Sequence, residues 1–183
     1  MQTALTRCLD LAHPIIQAPM AGTSTPVLAA AVSEAGGLGS IAVGAVTADK
    51  ARTDILATKA LTGRPFNVNV FCHEPAPVDQ ARNAAWIKEM RPLFAGFGAE
   101  PPKMLREIYT SFRGDDAMLA VLLDEKPAVV SFHFGLPDAG RIAALKTAGI
   151  LLMATATTPE EGRAAQRAGI DMVVAQGFEA GGH

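Results

Sequence analysis

The stretch Phe66-Asn67-Val68-Asn69-Val70 alternates apolar side chains with asparagines. Because successive side chains of a β-strand point to opposite faces, the two asparagines share one face and the apolar residues share the other. The same alternation recurs in Ser131-Phe132-His133-Phe134, where a serine and a histidine lie opposite two phenylalanines. Both segments predict strands with one face packed on helices and one face carrying polar groups.

Short apolar runs alternate with amphipathic stretches along the whole chain, which predicts repeated βα units and a parallel sheet. Two helix starts are marked by Thr25 before Pro26 and by Thr158 before Pro159, the second with Glu161 completing a capping box. The predicted strands cover residues 14–18, 38–43, 66–71, 128–134, 150–154 and 170–176.

Polar residues occur near the carboxyl ends of these strands, where we expect Asn69, His133 and Gln176 on one level. A (β/α)₈ barrel gathers its site in this way, and an open doubly wound sheet also binds ligands there. The dinucleotide-binding form of that sheet needs G-x-G-x-x-G after a strand, whereas Gly36-Gly37-Leu38-Gly39 precedes one. The sequence therefore favours an α/β fold of the TIM-barrel type.

Six predicted strands fall short of the eight that a barrel needs. We therefore expect residues 1–183 to supply about the first six βα units of a single barrel domain, as the N-terminal part of a longer protein. The stretch 77–126 is longer than one crossover requires. It is predicted to hold an insert with extra helices around residues 86–94 and 102–112.

The composition narrows the classes of partner. The 183 residues are 49% hydrophobic and 19% charged, with 16 basic and 18 acidic residues and no basic cluster, so no nucleic-acid partner is expected. The apolar runs are too short to cross a bilayer, and no signal peptide is apparent. Two cysteines do not make a disulfide framework, which favours the cytoplasm. The four histidines lack metal-ligand spacing, so no metal is predicted.

Four motifs follow one another along the chain. Pro14-Ile15-Ile16-Gln17-Ala18-Pro19-Met20-Ala21-Gly22 is the first, and the others span residues 67–71, 130–135 and 175–183. Together, and in this order, they resemble the nitronate monooxygenases of class I, formerly called 2-nitropropane dioxygenases. The resemblance covers the whole sequence.

The resemblance implies a TIM barrel with a small appended domain, which binds FMN and oxidises alkyl nitronates with O₂ to carbonyl compounds and nitrite. It also implies that the backbone of residues 19–22 lies along the flavin ring. The cofactor-binding residues implied in this way are Ala18, Pro19, Met20, Ala21, Gly22, Asn69, Gln176, Gly181 and Gly182. The family's phosphate-binding loops follow strands seven and eight, outside this sequence.

Three side chains are candidates for binding the substrate or for exchanging a proton with it. His183 matches the family's active-site histidine, which can take the α-proton of a nitroalkane or, when charged, hold an anionic nitronate. His133 is predicted to donate from a neutral imidazole to the nitro or nitronate oxygens, with a buried core histidine as the alternative. Tyr109 is predicted either to cover the ligand as part of a lid or to anchor a surface helix. Ser24 and Thr25 are predicted as helix caps.

Two other functions remain open on the same residues. One is an NAD(P)H-dependent flavin oxidoreductase of the quinone- or enoyl-reductase kind. The other is a non-catalytic domain that binds a flavin or a partner protein, if the chain truly ends at His183. The expected small molecules are O₂ and a nitronate, with propionate 3-nitronate as a candidate. The oligomeric state is left open, a homodimer being one option.

Overall fold

A computed structural model describes residues 2–182 and contains a five-stranded parallel sheet. Each strand pairs with the next one along the chain, so the spatial order is the sequence order. The strands are β1 (Gly39–Ala42), β2 (Phe66–Phe71), β3 (Val129–His133), β4 (Leu151–Ala156) and β5 (Met172–Ala175). The helices are α1 (Ala4–Leu9), α2 (Pro26–Glu34), α3 (Ala48–Leu61), α4 (Gln80–Gly96), α5 (Asp116–Glu125), α6 (Ala139–Thr147) and α7 (Pro159–Arg167).

The crossover helices α2, α3, α5, α6 and α7 all contribute to one core on a single face of the sheet. Val68 and Phe132 pack into this core, together with Leu122 of α5. The opposite, inner face carries a second apolar cluster at its amino-terminal end, built from Leu9, Leu11, Leu38, Val129 and Met153. A doubly wound sheet would reverse its strand order and carry helices on both faces. The structure therefore confirms the barrel type of α/β fold.

The first predicted strand, residues 14–18, is reduced to a single parallel bridge between Ile16 and Leu38. Two backbone hydrogen bonds flank this bridge: Leu38 N–H donates to the Ile15 carbonyl and Gln17 N–H donates to the Leu38 carbonyl, both at 2.9 Å. Beyond these bonds the side chain of Gln17 continues the pairing: its Oε1 accepts from Ser40 N–H at 3.3 Å, and its Nε2 donates to the Ser40 carbonyl at 3.2 Å. The segment thus lies beside β1 without forming a ladder.

The described residues form two compact units. One comprises the chain up to Glu74 and from Tyr109 onward, and the other comprises Pro75–Ile108. The smaller unit contains α4, which begins at its N-cap Asp79 and has no buried residue. The helix predicted at residues 86–94 is confirmed as part of α4.

The second helix predicted in the insert, at residues 102–112, is wrong. This segment contains bends and irregular chain, with no helix. Pro102 cannot donate a helical hydrogen bond, and at the other end Phe112 N–H donates to the Phe71 carbonyl at 2.8 Å. The chain is therefore held against the end of β2 instead of coiling. Tyr109 consequently does not anchor a helix.

Both predicted helix starts are confirmed. Thr25 caps α2 by accepting from Leu28 N–H at 3.2 Å. In the capping box of α7, Thr158 Oγ1 accepts from Glu161 N–H at 3.2 Å, and the Glu161 carboxylate accepts from Thr157 N–H at 2.6 Å and Thr158 N–H at 3.2 Å. The hydrogen bonds from Thr157 hold the pKa of Glu161 below its ordinary value. Among residues 2–182, no helix combines the length and apolar character needed to cross a bilayer.

Replacing Thr158 by Ala is expected to lower the free energy of unfolding by about 1 kcal/mol, because the first turn of α7 loses its cap. Urea denaturation of the variant and the parent measures this loss. Thr53→Ala, an exposed threonine inside α3, serves as the control and should be neutral or slightly stabilising. Equal stability of Thr158→Ala and the parent would contradict the assigned cap.

Candidate functional site

Buried amides and hydroxyls form a polar layer on the inner face of β1, β2 and β3. Asn67 Nδ2 donates to Ser40 Oγ at 3.2 Å and to Ser131 Oγ at 2.9 Å. Asn69 Nδ2 donates to Ser131 Oγ at 2.9 Å and to the Ser131 carbonyl at 3.3 Å. Asn67 Oδ1 is buried and accepts no hydrogen bond from residues 2–182. Because an unpaired buried acceptor is costly, an additional hydrogen-bond donor to Asn67 Oδ1 would be favourable at this level of the inner face.

The expectation that Asn69, His133 and Gln176 share one level is wrong. In the ladder register Asn69 pairs with Ser131, and His133 pairs with Phe71, one inner-face position nearer the carboxyl end. Gln176 lies beyond the end of β5, where its backbone N–H donates to the Ala156 carbonyl at 3.0 Å. The three side chains therefore follow one another toward the carboxyl edge of the sheet.

One serine fastens the loop of residues 18–22. Ser24 Oγ accepts from Met20 N–H at 2.8 Å and from Gln17 Nε2 at 3.0 Å, and it donates to the Ala18 carbonyl at 3.1 Å. The prediction of Ser24 as a helix cap is therefore wrong, and Thr25 alone caps α2. Gly22 has φ +75°, and no atom lies within 4 Å of the place where a Cβ would stand, so the loop turns there without side-chain bulk.

Aromatic rings gather where β2 and β3 end. The Phe71 ring centroid lies 5.7 Å from that of Tyr109, 5.1 Å from that of Phe134 and 6.4 Å from that of His133. The His133 and Phe134 centroids are 4.2 Å apart, with their planes inclined by 70°. His133 is half-buried, whereas Tyr109 is exposed. The two predicted substrate-binding residues thus belong to one group of rings, joined through Phe71.

Phe134 occupies the left-handed region of backbone space, with φ +67°. This conformation costs about 1–2 kcal/mol for an L-residue. The chain turns out of β3 at this point, and Gly135 follows with φ +127°. Strained residues of this kind cluster at functional sites, and here the turn directly follows His133.

The remaining predicted residues lie in loops at the carboxyl edge or outside the described part. Gln176 is half-buried, and Gly181 and Gly182 are exposed with open space around them. Ala18, Met20 and Ala21 are exposed and Pro19 is half-buried in the loop that Ser24 holds. His183 lies outside the described residues.

Cys72 follows β2 and is completely buried in the core between the sheet and the helices. Burial raises the pKa of its thiol to about 12, although Arg113 and Arg141 act in the opposite direction. The thiol therefore stays protonated at neutral pH and is no nucleophile. Within residues 2–182, no group of three or more His, Cys, Asp or Glu side chains is placed to hold a metal ion.

A hollow of about 390 Å³ lies at the amino-terminal end of the sheet, between residues 10–12, the end of α2 and Arg64. In barrels the amino-terminal end serves stability, and the chemistry takes place at the carboxyl end. Its lining contains none of the site residues predicted from the sequence. The candidate site therefore remains the carboxyl edge.

Sequence reasoning missed Phe71 and the part that Ser24 plays. Phe71 resembled one more apolar strand residue, although its odd position on β2 puts it on the face of Asn67 and Asn69. That parity was visible in the sequence and could have identified it. The three bonds of Ser24 depend on the path of the loop, for which the sequence holds no signal.

Comparisons with known proteins match the whole chain. The family model described as nitronate monooxygenase matches residues 2–183. The chain is 59% identical over 180 residues to a nitronate monooxygenase of Paraburkholderia phytofirmans, covering 98% of this chain and 49% of the relative. It is 55% identical over 183 residues to a nitronate monooxygenase of Pseudomonas aeruginosa, covering 100% of this chain and 52% of the relative.

A solved structure of nitroalkane oxidase from Streptomyces ansochromogenes superimposes with a TM-score of 0.84 and 49% identity, covering 99% of this chain and 50% of that one. The chain spans about half the length of the curated relatives that it matches.

Replacing Ser24 by Ala should raise the exchange rate of the Met20 amide by roughly three- to tenfold, because that N–H loses its acceptor. Hydrogen–deuterium exchange resolved at residues 18–22 measures this. Thr23→Ala is the matched control, since the Thr23 hydroxyl makes no hydrogen bond within residues 2–182. Unchanged exchange in Ser24→Ala would show that the loop is held by other contacts.

Phe134→Gly is expected to be more stable than Phe134→Ala by about 1 kcal/mol, because both lose the ring but only glycine adopts φ +67° without strain. Urea denaturation of the two variants isolates this backbone effect. The same pair at Phe178, whose φ lies outside the left-handed region, should show alanine equal to or more stable than glycine. If glycine were also more stable than alanine at Phe178, the difference at Phe134 would not be due to backbone strain.

Proposed function

Because the chain belongs to the nitronate monooxygenase family, we propose that the protein oxidises alkyl nitronates with O₂ to a carbonyl compound and nitrite, with FMN as its cofactor. FMN, when bound, supplies the redox chemistry by accepting electrons from the nitronate and passing them to O₂. The protein's side chains bind, orient and exchange protons.

The observation that carries this proposal is an open turn at Gly22 together with uncharged buried amides on the inner face of the sheet. A flat, uncharged ring with N–H and C=O groups needs close backbone approach on one side and amide partners at its edge. The turn at Gly22 is open, and the loop that contains it is anchored by Ser24. Asn69 contributes a buried amide on β2, the strand paired with β1. These residues fit an isoalloxazine.

The hydrogen bonds of Asn69 define which part of its amide a flavin would use. Its Nδ2 donates to the hydroxyl and to the carbonyl of Ser131, so the nitrogen is committed within the sheet. The carbonyl oxygen Oδ1 is left to accept a hydrogen bond, which suits the ring N3–H of a flavin. Gln176, Gly181 and Gly182 complete the proposed cofactor contacts, together with residues 18–22.

We assign the substrate side of the site to His133, Tyr109 and His183. The rings of Phe71 and Phe134 lie beside the His133 imidazole, and we assign this imidazole as a hydrogen-bond donor to the nitronate oxygens. Tyr109 would cover the bound ligand. His183, assigned from its match to the family's active-site histidine, would take the α-proton of a nitroalkane and hold the anion of a nitronate.

The first test is the visible spectrum of the purified full-length protein and its oxygen uptake with propionate 3-nitronate, without NADH. A flavin spectrum with rapid uptake supports the proposal. A flavin that oxidises no nitronate but is bleached by NADH under anaerobic conditions would establish the reductase instead. Absence of flavin would favour a non-catalytic binding domain.

His183→Asn should lower kcat/KM with a neutral nitroalkane by about 100-fold or more, because general-base catalysis is lost. With the preformed nitronate the loss should stay near tenfold, because no proton has to be removed. Steady-state nitrite release on both substrates measures the difference. His13→Asn, at an exposed histidine near the end of α2, is the control and should leave both values unchanged. Equal losses on the two substrates would contradict the proton-transfer role.

A further inference from the structure

Gly44, two residues beyond the end of β1, lies directly beneath the Phe71 ring. A Cβ built on Gly44 would stand 2.7–2.9 Å from three ring carbons of Phe71, closer than real Cβ atoms approach. Gly44 itself is buried, and its φ is not in the left-handed region. Glycine is therefore needed here for space and not for backbone conformation.

The Phe71 ring has little room to move away from an added methyl group. The hollow lined by Gly44, Val70, Phe71 and Phe112 measures only about 10 Å³, roughly one water probe. The backbone of Phe71 is also held, since its carbonyl accepts from Phe112 N–H at 2.8 Å. A displaced ring must therefore push toward its other neighbours, the rings of Tyr109, Phe134 and His133.

We propose that Phe71 is a positioning residue, which holds the side chains of His133 and Tyr109 in the positions from which they bind the substrate. Gly44 is required because any larger residue would occupy the space of the Phe71 ring. This inference rests on the proposed function, in which His133 and Tyr109 bind the nitronate. Phe71 contacts both of these side chains, whereas they belong to separate segments of the chain. Substrate binding is thereby made sensitive to a glycine on a third segment.

The test compares Gly44→Ala, Phe71→Leu and the double variant in the full-length holoprotein. Gly44→Ala should raise KM for propionate 3-nitronate about tenfold, with kcat changed less than threefold and flavin content unchanged. The crowding in Gly44→Ala should also lower Tm. In the double variant the smaller leucine accommodates the added methyl group, so Tm should return toward the parent value. KM should stay raised, because the aromatic contacts are still missing. The matched control is Gly114→Ala, at an exposed glycine with open space around it. This variant should change neither KM nor Tm.

A second readout does not depend on turnover. With ¹³C-labelled histidine, the His133 ring resonances should shift in Gly44→Ala and in Phe71→Leu but not in Gly114→Ala. If they shift while the parent oxidises no nitronate, the proposed function fails and the positioning by Phe71 stands. If the parent is active but Gly44→Ala leaves KM and these resonances unchanged, the inference is overturned. Recovery of KM together with Tm in the double variant would also overturn it, since the role would then be structural only.

Discussion

Asn67 and Asn69 are buried on one face of β2, and their amide groups must find hydrogen-bond partners inside the sheet. Ser40 on β1 and Ser131 on β3 accept hydrogen bonds from the two amide nitrogens. A slip of one residue would turn both amides into the apolar core and bring Val68 to the polar face. The pairing of three adjacent strands is thereby fixed by four short side chains.

The candidate site is built on that pairing. Once β2 and β3 are in register, Phe71 and His133 stand opposite each other at the carboxyl edge. The left-handed turn at Phe134 and the irregular segment after Ile108 then bring further rings against Phe71. The loop of residues 18–22 depends on a separate anchor, Ser24, whose partner Gln17 is in turn tied to the backbone of β1. Rigid strands thus position two otherwise irregular segments.

The sequence predicted the strands of the sheet because alternation of side chains along Phe66–Phe71 and β3 depends only on strand geometry. Capping residues such as Thr158 were predictable for the same reason, since the cap is formed within four residues. The first strand and the helix at residues 102–112 were mispredicted because distant groups decide those segments. Gln17 finds its partner on Ser40, and Phe112 finds its partner on Phe71.

For the candidate site residues too, some features are predictable from the local sequence and others depend on distant contacts. Asn69 and His133 could be located on a face of their strands from parity alone, but their relative heights depend on the ladder register, which no single strand reveals. Tyr109 could be named as a candidate, yet its contact with Phe71 follows from a chain path that propensity does not determine. Local rules therefore identified the residue types, and non-local pairing arranged them.

The sequential order of the strands also has a consequence for how the sheet assembles. Because every strand pairs with its successor, the sheet can grow one βα unit at a time as the chain emerges during synthesis. The intervals between β3, β4 and β5 are short, whereas Pro75–Ile108 lies between β2 and β3. Joining β3 to β2 closes a loop between three and four times as long as the later ones, at an extra entropic cost of about 1 kcal/mol. The closure with the largest entropic cost among these three therefore falls at the pairing that aligns Phe71 with His133.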